Sequence, residues 1–240
     1  MNSISALISC QIFAIMRCTS GPRLSASDFP EHPDEPLEQN MNSQQSNSVF
    51  ESRYSKLIMP ALALLLICVG VASRIGLADS PNFKPVCALA LFAGFYFRNV
   101  WAAAGVVFAT LLISDAYIGG YGLSLMIAVY ASTALAGCLG VLVSRWHKSQ
   151  SGVRTLFGKF AVASLVMSTA FFLLTNLAVW MAGSWYPTSL TGLGECYAAA
   201  IPFYRWTLVS DFVFSQATVA VYGLALLAAT ATRPGKVVAS

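Results

Sequence analysis

From residue 57 onward the chain consists of apolar segments whose lengths are comparable to the thickness of a lipid bilayer. A transmembrane helix needs about 20 apolar residues to cross a hydrocarbon core of ~30 Å. Only helices and closed barrels satisfy their backbone hydrogen bonds in lipid, so this feature restricts the possible folds more than any other. It predicts an all-α, polytopic membrane bundle of about six helices, over residues 57–73, 85–97, 100–114, 123–144, 160–183 and 207–231.

The second and third of these segments are shorter than a full crossing, and only two polar residues separate them. They form either two short spans or a re-entrant pair that enters and leaves the bilayer on the same side. Small residues four positions apart, Ala90 with Gly94 and Gly105 with Ala109, would allow close helix contacts in both cases. Such pairs are common in apolar helices, so they are a weak signal.

The composition restricts the class of protein. Apolar residues make up 57% of the chain and charged residues only 10%, whereas an ordinary soluble domain has about 25% charged residues. Residues 57–240 contain ten basic and four acidic groups, and no basic stripe lies on a soluble element. These features favour a membrane protein in contact with the lipid bilayer, and they argue against a soluble enzyme and against a nucleic-acid partner.

The basic residues predict the orientation, because loops rich in Lys and Arg stay in the cytoplasm. If the N-terminus is cytoplasmic, the opposite face carries only Arg74, Lys84 and Arg205. Six spans then place both termini in the cytoplasm, as in a multi-pass protein of the inner (cytoplasmic) membrane. A re-entrant pair would leave the orientation of the later segments unchanged. The cytoplasmic face would carry nine basic residues, namely Arg53, Lys56, Arg98, Arg145, Lys148, Arg154, Lys159, Arg233 and Lys236.

The N-terminal part of the chain differs from the rest. Residues 19–56 are rich in Ser, Pro, Asn, Gln and Glu, and such a composition buries too little apolar surface to offset the entropy of ordering. We therefore predict a disordered leader over residues 1–56, a transmembrane domain over 57–231 and a cytoplasmic tail over 232–240. A start of translation at Met41 is an alternative explanation of the leader.

The chain offers little material for a metal or cofactor site. Its six cysteines are widely scattered, and His32 and His147 lie far apart in the sequence, so no metal-ligand spacing occurs. The stretch from Gly152 to Lys159 resembles a phosphate loop, but it has five residues between its glycines. It also has Phe160 where Ser or Thr would bind magnesium. We expect no metal, no cofactor and no ATP binding by this route.

Polar and aromatic residues gather on the face opposite the basic loops. Asp115 follows an apolar run, Asn176 lies inside the fifth segment, and Asp211 lies one turn inside the sixth. Polar groups at membrane depth are costly and usually face a cavity, a partner or a functional path. The sequence therefore predicts a substrate site formed by Asn82, Asp115, Asn176, Trp180, Tyr186, Tyr197, Arg205 and Asp211.

Simpler interpretations of these residues stay open. Trp185, Tyr186 and Trp206 suit the aromatic belt at a membrane interface. Asn176 suits a hydrogen bond between helices, which is worth about 0.6 kcal/mol in membranes. Arg205 suits either an anionic group of a ligand or a structural ion pair with Glu195 or Asp211.

Several motifs together resemble a known family. They are Pro81-Asn-Phe-Lys-Pro-Val86, the run 88–94, Ser114-Asp115, Asn176 with Trp180, Tyr186-Pro187, Gly192-Leu193, Cys196-Tyr197, and 200–203 with Arg205 and Asp211. This set resembles a family of small bacterial membrane proteins of unknown function over roughly residues 74–222. That family in turn is similar to the S components of energy-coupling-factor transporters.

The resemblance to S components implies a six-helix bundle that captures a vitamin or a metal ion from outside. A separate transmembrane subunit with two ATPases would supply the energy. S components for metal ions rely on an N-terminal motif that contains His, which this chain lacks, so the resemblance implies a small organic micronutrient.

Three functions are compatible with the sequence. The leading hypothesis is a substrate-capturing subunit that uses the eight residues named above. The second is a structural or assembly protein without a ligand, in which the same polar groups only hold helices together. The third is an intramembrane enzyme with Asp115 and Asp211 as a carboxylate pair, which ranks last because no nucleophile or metal lies beside them in the sequence. We therefore expect that the protein is not an enzyme.

Overall fold

The computed structural model describes residues 37–78, 83–147 and 152–231, with side chains described for 57–78, 83–147 and 152–228. Six α-helices follow one another in these parts of the chain, and no strand occurs among them. They are α1 (Leu37–Gly76), α2 (Val86–Phe97), α3 (Val100–Ile118), α4 (Leu123–Trp146), α5 (Val153–Met181) and α6 (Leu190–Ala231).

Five of the helices are long and apolar enough to cross a membrane, namely residues Leu57–Gly76 of α1, all of α3, α4 and α5, and Leu190–Ala228 of α6. Helix α2 is apolar but has only 12 residues, which corresponds to about 18 Å at 1.5 Å per residue. The third segment is longer than the sequence indicates, because α3 continues through Ser114 to Ile118. The predicted all-α class and the multi-pass membrane bundle are confirmed.

Three helices begin earlier than the apolar pattern indicates, and one of them is α5, which begins at Val153 instead of residue 160. Helix α6 begins at Leu190, so most of the stretch 185–206, which the sequence analysis treats as a connection, is helical. Helix α1 begins at Leu37 and runs through residues for which the composition predicts disorder. Extending an existing helix costs little free energy compared with nucleating one, because each added residue gains one hydrogen bond. Residues 1–36 lie outside the described part of the chain, and the proposed division at residue 56 stays a prediction.

The chain divides into two units. The larger, Leu62–Val221, contains α2, α3, α4 and α5 with the C-terminal part of α1 and most of α6. The smaller consists of Met1–Ala61 with Tyr222–Ser240, of which residues 37–61 and 222–231 are described and helical. All features discussed below belong to the larger unit.

The short helix α2 is enclosed by its neighbours. Nine consecutive residues, from Cys87 to Phe95, are buried, which is typical of a helix that is apolar on all sides. Helix α2 runs parallel to the second half of α4, since Leu91 lies against Gly140 and Arg98 lies near Ser144. The hydrophobic core beside it draws side chains from four helices, namely Cys87, Ala90, Val107, Leu111, Ala136 and Met167.

Glycines allow α2 and α4 to approach to backbone contact. A Cβ on Gly94 would overlap the carbonyl oxygen of Gly137, and a Cβ on Gly140 would overlap the carbonyl oxygen of Leu91. By contrast, a Cβ on Gly105 would meet nothing within 4 Å. Of the two small-residue pairs in the sequence, the one with Gly94 therefore serves a close helix contact, and Gly105 does not.

A two-residue turn reverses the chain between α2 and α3. Arg98 ends α2 in the left-handed conformation, with φ 54°. Asn99 then caps α3, and its side-chain oxygen accepts hydrogen bonds from the backbone N–H groups of Trp101 (2.8 Å) and Ala102 (3.4 Å). This reversal makes α2 and α3 two separate helices of opposite direction, and only α3 has full crossing length.

The shortness of α2 leaves room inside the bundle. Its first turn lies beside Val129 and Thr133, because Val86 and Cys87 line the same cavity as these two residues. Thr133 is ten residues after the start of α4, or about 15 Å along that helix. The space on the N-terminal side of α2, alongside the first turns of α4, is therefore not filled by α2 itself.

Candidate functional site

A buried ion pair joins the C-terminal turns of α1 and α3. The guanidinium of Arg74 donates from Nη2 to Oδ1 of Asp115, and both side chains are buried. The hydroxyl of Tyr130, on α4, donates to the other carboxylate oxygen of Asp115 at 3.0 Å. Three helices are thereby linked through one carboxylate. The Nε of Arg74 is also buried but has no hydrogen-bond partner.

A polar cavity of about 190 Å³ adjoins this ion pair at the first turn of α2. Its wall includes two basic residues, Arg74 and Lys84, and one acidic residue, Asp211. Of these, Arg74 is already paired with Asp115. The remaining lining residues are Val86, Cys87, Tyr121, Val129, Thr133, Phe171 and Thr207. The cavity therefore combines both signs of charge with hydroxyl groups and two aromatic rings, those of Tyr121 and Phe171.

Lys84 and Asp211, the other two charged residues of the polar cavity, do not have the kind of partner that Arg74 and Asp115 provide for each other. Asp211 is 2% exposed, and its Oδ2 accepts a hydrogen bond of 2.7 Å from the hydroxyl of Ser168. Neither Asp211 nor Lys84 forms an ion pair with any residue in the described part of the chain. Other buried hydroxyls, such as those of Thr110 and Thr175, donate to carbonyls of their own helix, so Ser168 is directed at Asp211 specifically.

Two loop residues that line the polar cavity, Lys84 and Tyr121, have pKa values that differ from their ordinary values. Burial lowers the pKa of the Lys84 ammonium, and the guanidinium of Arg74 lowers it further, while Asp115 acts in the opposite direction. Burial raises the pKa of the Tyr121 hydroxyl, and Asp115 raises it further. Tyr121 is therefore a neutral hydroxyl at neutral pH, and the positive charge of Lys84 is not compensated by an ion pair within the described residues.

A second cavity, of about 270 Å³, adjoins the first and is mainly aromatic. The two cavities share Tyr121, Val129, Phe171 and Thr207 as walls. The rings of Phe172 and Tyr204 stack beside each other, with centroids 4.5 Å apart. Together the two volumes fall within the range of about 300–1,000 Å³ that is typical of small-molecule sites. The aromatic cavity is completed by Leu125, Thr175, Asn176, Val179, Ala200 and Phe203.

The eight residues predicted from the sequence are only partly brought together. Asp211 lines the polar cavity, Asn176 lines the aromatic cavity, and Asp115 lies behind the polar cavity through its bond to Arg74. The amide nitrogen of Asn176 donates to the carbonyl of Phe172 at 2.8 Å. Asn82 lies outside the described residues.

The other four predicted residues line neither cavity. Trp180 Nε1 donates to the carbonyl of Pro187 at 3.1 Å, and the Tyr197 hydroxyl donates to the carbonyl of Leu173 at 2.7 Å. Tyr186 is partly exposed in the loop between α5 and α6. Arg205 is exposed, and its guanidinium carbon lies 5.4 Å from the ring centroid of Trp206.

Sequence reasoning missed the most informative residues of the site. Arg74 and Lys84 counted only as charges on the outer face, and Tyr130, Ser168 and Thr207 attracted no prediction. A usable signal existed for Arg74, because it lies in the last turn of an apolar helix and needs a buried partner of opposite charge. Nothing in the sequence indicates that Lys84 and Asp211, 127 positions apart, line one cavity.

Within the described residues, no group of three or more His, Cys, Asp or Glu side chains is arranged to hold a metal ion. The four cysteines that the structure describes, Cys68, Cys87, Cys138 and Cys196, are free thiols.

The fold and the cavities define a multi-pass helical membrane protein with an internal space large enough for a small molecule. Residues 55–233 match the model of the family of unknown function DUF6580, and the chain belongs to that family. No curated protein and no solved structure shows a significant match to the chain.

Proposed function

We propose that this protein captures a small organic solute in the adjoining polar and aromatic cavities. The observation that carries the proposal is the polar cavity itself, whose wall holds Lys84 and Asp211 without an ion-pair partner among the described residues. A buried charge without compensation is costly, so the Asp211 carboxylate is expected where it binds something. The partly buried ammonium of Lys84 lines the same space. The aromatic cavity beside it would hold the apolar body of the solute.

The proposed direction is uptake from outside the inner membrane. The C-terminal end of α4 is a basic end, where Arg98 and Lys159 donate to the carbonyls of Ser144 (3.5 Å) and Trp146 (2.8 Å). The cavities adjoin the opposite end of α4, near Tyr121. Under the positive-inside rule the basic end is cytoplasmic, and the cavities then open toward the outside.

The energy for uptake would come from separate subunits. The chain has no intact phosphate loop, and its motifs are similar to those of S components, which work with a transmembrane subunit and ATPases. In this proposal the protein is the binding subunit and has no enzymatic activity of its own. Purification from the native host in mild detergent tests the partner directly, because co-purification of an ATPase is the expected result.

The capture function is tested by filling the junction between the two cavities. Val129 lines both cavities, whereas Ile127, on the same helix, has 60% of its surface exposed. We expect Val129→Phe to abolish binding of solutes that native mass spectrometry finds on the wild-type protein. Ile127→Phe is the matched control and should retain them. Equal retention by both variants, or a wild-type protein that carries and binds no solute, would refute the proposal.

A structural or assembly protein is the second candidate. Its supporting observation is that several predicted site residues are satisfied inside the protein, including Asp115 by Arg74 and Tyr130. This role predicts that substitutions at Lys84 and Asp211 change stability and leave all solute binding unchanged, because no solute binds in the cavities.

A further inference from the structure

The polar cavity is lined by an ammonium and a carboxyl group that do not pair with each other. Lys84 and Asp211 both line it, yet no ion pair of 4.0 Å or less connects them or connects either one to another described residue. Opposite charges that face the same small space without touching would be neutralised by a molecule that carries the complementary charges. Water alone would leave Asp211, at 2% exposure, with poor compensation for its lost hydration.

The side of the cavity around Lys84 suits an anion. The Nε of Arg74, which also lines the cavity, is buried and lacks a hydrogen-bond partner. The N-terminus of α2 begins in the same place, with Pro85 as N-cap and no side-chain capping bond. Free N–H groups and the helix dipole favour negative charge at such a terminus. An ammonium, an unpaired guanidinium N–H and a helix N-terminus therefore all adjoin the same cavity.

The side around Asp211 suits a donor or a cation. Its carboxylate receives one hydrogen bond, from the neutral hydroxyl of Ser168. Within the described residues no Lys, Arg or His pairs with it. An ammonium or N–H group of a bound molecule would supply the missing charge-assisted hydrogen bond.

The adjoining aromatic cavity suits an uncharged body. Phe171, Phe172 and Tyr204 contribute rings to its wall, and its remaining lining residues carry no formal charge. Burial of an apolar or aromatic group there would add affinity in proportion to the area removed from water.

We infer that the captured solute is a small zwitterion of the amino-acid class, with its carboxylate beside Lys84 and Arg74, its ammonium beside Asp211, and an apolar or aromatic side chain in the second cavity. This inference rests on the proposed capture function and adds the charge pattern of the substrate to it.

The test compares four charge classes on identical side chains. The full-length protein in lipid nanodiscs is titrated with aromatic and aliphatic amino acids, their N-acetyl derivatives, their amides, and their uncharged N-acetyl amides. We expect the amino acids to bind about tenfold or more tightly than either singly charged class, because each lost charge leaves an ionisable group of the cavity wall unpaired. Uncharged compounds that bind as tightly as amino acids would overturn the inference.

Two variants assign each charge of the solute to its side of the cavity. Lys84→Gln should weaken binding of amino acids and N-acetyl amino acids but leave binding of the amides unchanged. Asp211→Asn should weaken binding of amino acids and amides but leave binding of N-acetyl amino acids unchanged. Arg205→Gln removes an exposed cation that lines neither cavity, and this control should bind like the wild type. Uniform effects of both cavity variants on all classes would contradict the assignment.

The outcomes separate the two proposals. If native mass spectrometry recovers a bound solute that lacks a carboxylate or lacks an ammonium group, the zwitterion inference fails and capture stands. If neither a native solute nor any panel compound binds, capture itself fails. If Asp211→Asn does not fold, the comparison of charge classes on the wild-type protein and on Lys84→Gln still decides the question.

Discussion

Helix α2 has two sides with opposite surroundings. Along α4 it is packed to backbone contact at Gly94 and Gly140, and elsewhere in the bundle both oxygens of the Asp115 carboxylate accept hydrogen bonds, from Arg74 and Tyr130. We call this the closed region. At the first turn of α2, the polar cavity contains charges without ion-pair partners among the described residues, and we call this cavity and the adjoining aromatic cavity the open region. Under the proposed function, the comparison teaches that Asp115, whose partners lie within the protein, holds helices together, whereas Asp211, which has no ion-pair partner among the described residues, takes part in binding.

This contrast predicts a separation of effects. Substitutions in the closed region should reduce the free energy of unfolding and affect binding only through loss of folded protein, except at Arg74, which also lines the polar cavity. Substitutions in the open region should change binding and leave stability nearly unchanged.

The largest effect is expected for glycines of the closed region. Gly94→Ala and Gly140→Ala each place a methyl group on a backbone carbonyl that cannot rotate away. Overpacking of a core usually costs about 1–3 kcal/mol, and we expect each variant to exceed this range and the double variant not to fold. Gly105→Ala, which meets open space, is the control. Thermal unfolding in detergent measures all four, and wild-type stability of the double variant would disprove the close packing.

The next largest effect is expected for the buried ion pair. Arg74→Met leaves the Asp115 carboxylate buried with only the Tyr130 hydroxyl as donor. Removing one partner of a buried pair costs about 3–5 kcal/mol. The double variant Arg74→Met, Asp115→Leu removes both charges and should recover most of that loss. Chemical unfolding of the two variants checks this, and a double variant less stable than the single one would show that the pair itself stabilises the bundle.

A small effect on stability is expected at Asp211. Asp211→Asn keeps an acceptor for the Ser168 hydroxyl and removes a buried charge that lacks a cationic partner among the described residues. The free energy of unfolding should therefore change by less than about 1 kcal/mol or rise. This result contrasts with Asp115→Asn, which strands the Arg74 guanidinium and should be strongly destabilising. Equal losses for the two variants, measured under the same conditions, would remove the distinction between the regions.

The smallest effect is expected at Lys84, and it depends on pH. Because its pKa is lowered in the folded protein, the unfolded chain binds more protons between the lowered pKa and the ordinary value of 10.5. Wild-type stability should therefore rise with pH in that window, whereas Lys84→Met lacks this rise. Thermal unfolding of both proteins from neutral to alkaline pH isolates the lysine, since the surrounding groups are unchanged, namely Arg74, Cys87, Asp115, Tyr121 and Asp211. A stability difference that does not vary with pH would contradict the lowered pKa.

The sequence by itself determined the class of protein and most of its helices. Apolar runs report local free energies of transfer into lipid, so they predict an all-α multi-pass bundle without any knowledge of contacts. The same reasoning marked Asp115 and Asp211 as unusual, because a carboxylate at membrane depth is costly wherever the chain goes. It underestimated α6, since the predicted apolar segment begins only at residue 207, whereas the helix begins at Leu190 and includes Pro202.

Only the tertiary structure decided what each unusual residue does. Asp115 and Asp211 look alike in the sequence, but one lies beside Arg74 and the other beside a cavity. Gly94 and Gly105 both belong to small-residue pairs, but only Gly94 faces the backbone of another helix. Partners and empty space depend on how distant segments pack, and packing is a property of pairs of helices that no single segment encodes.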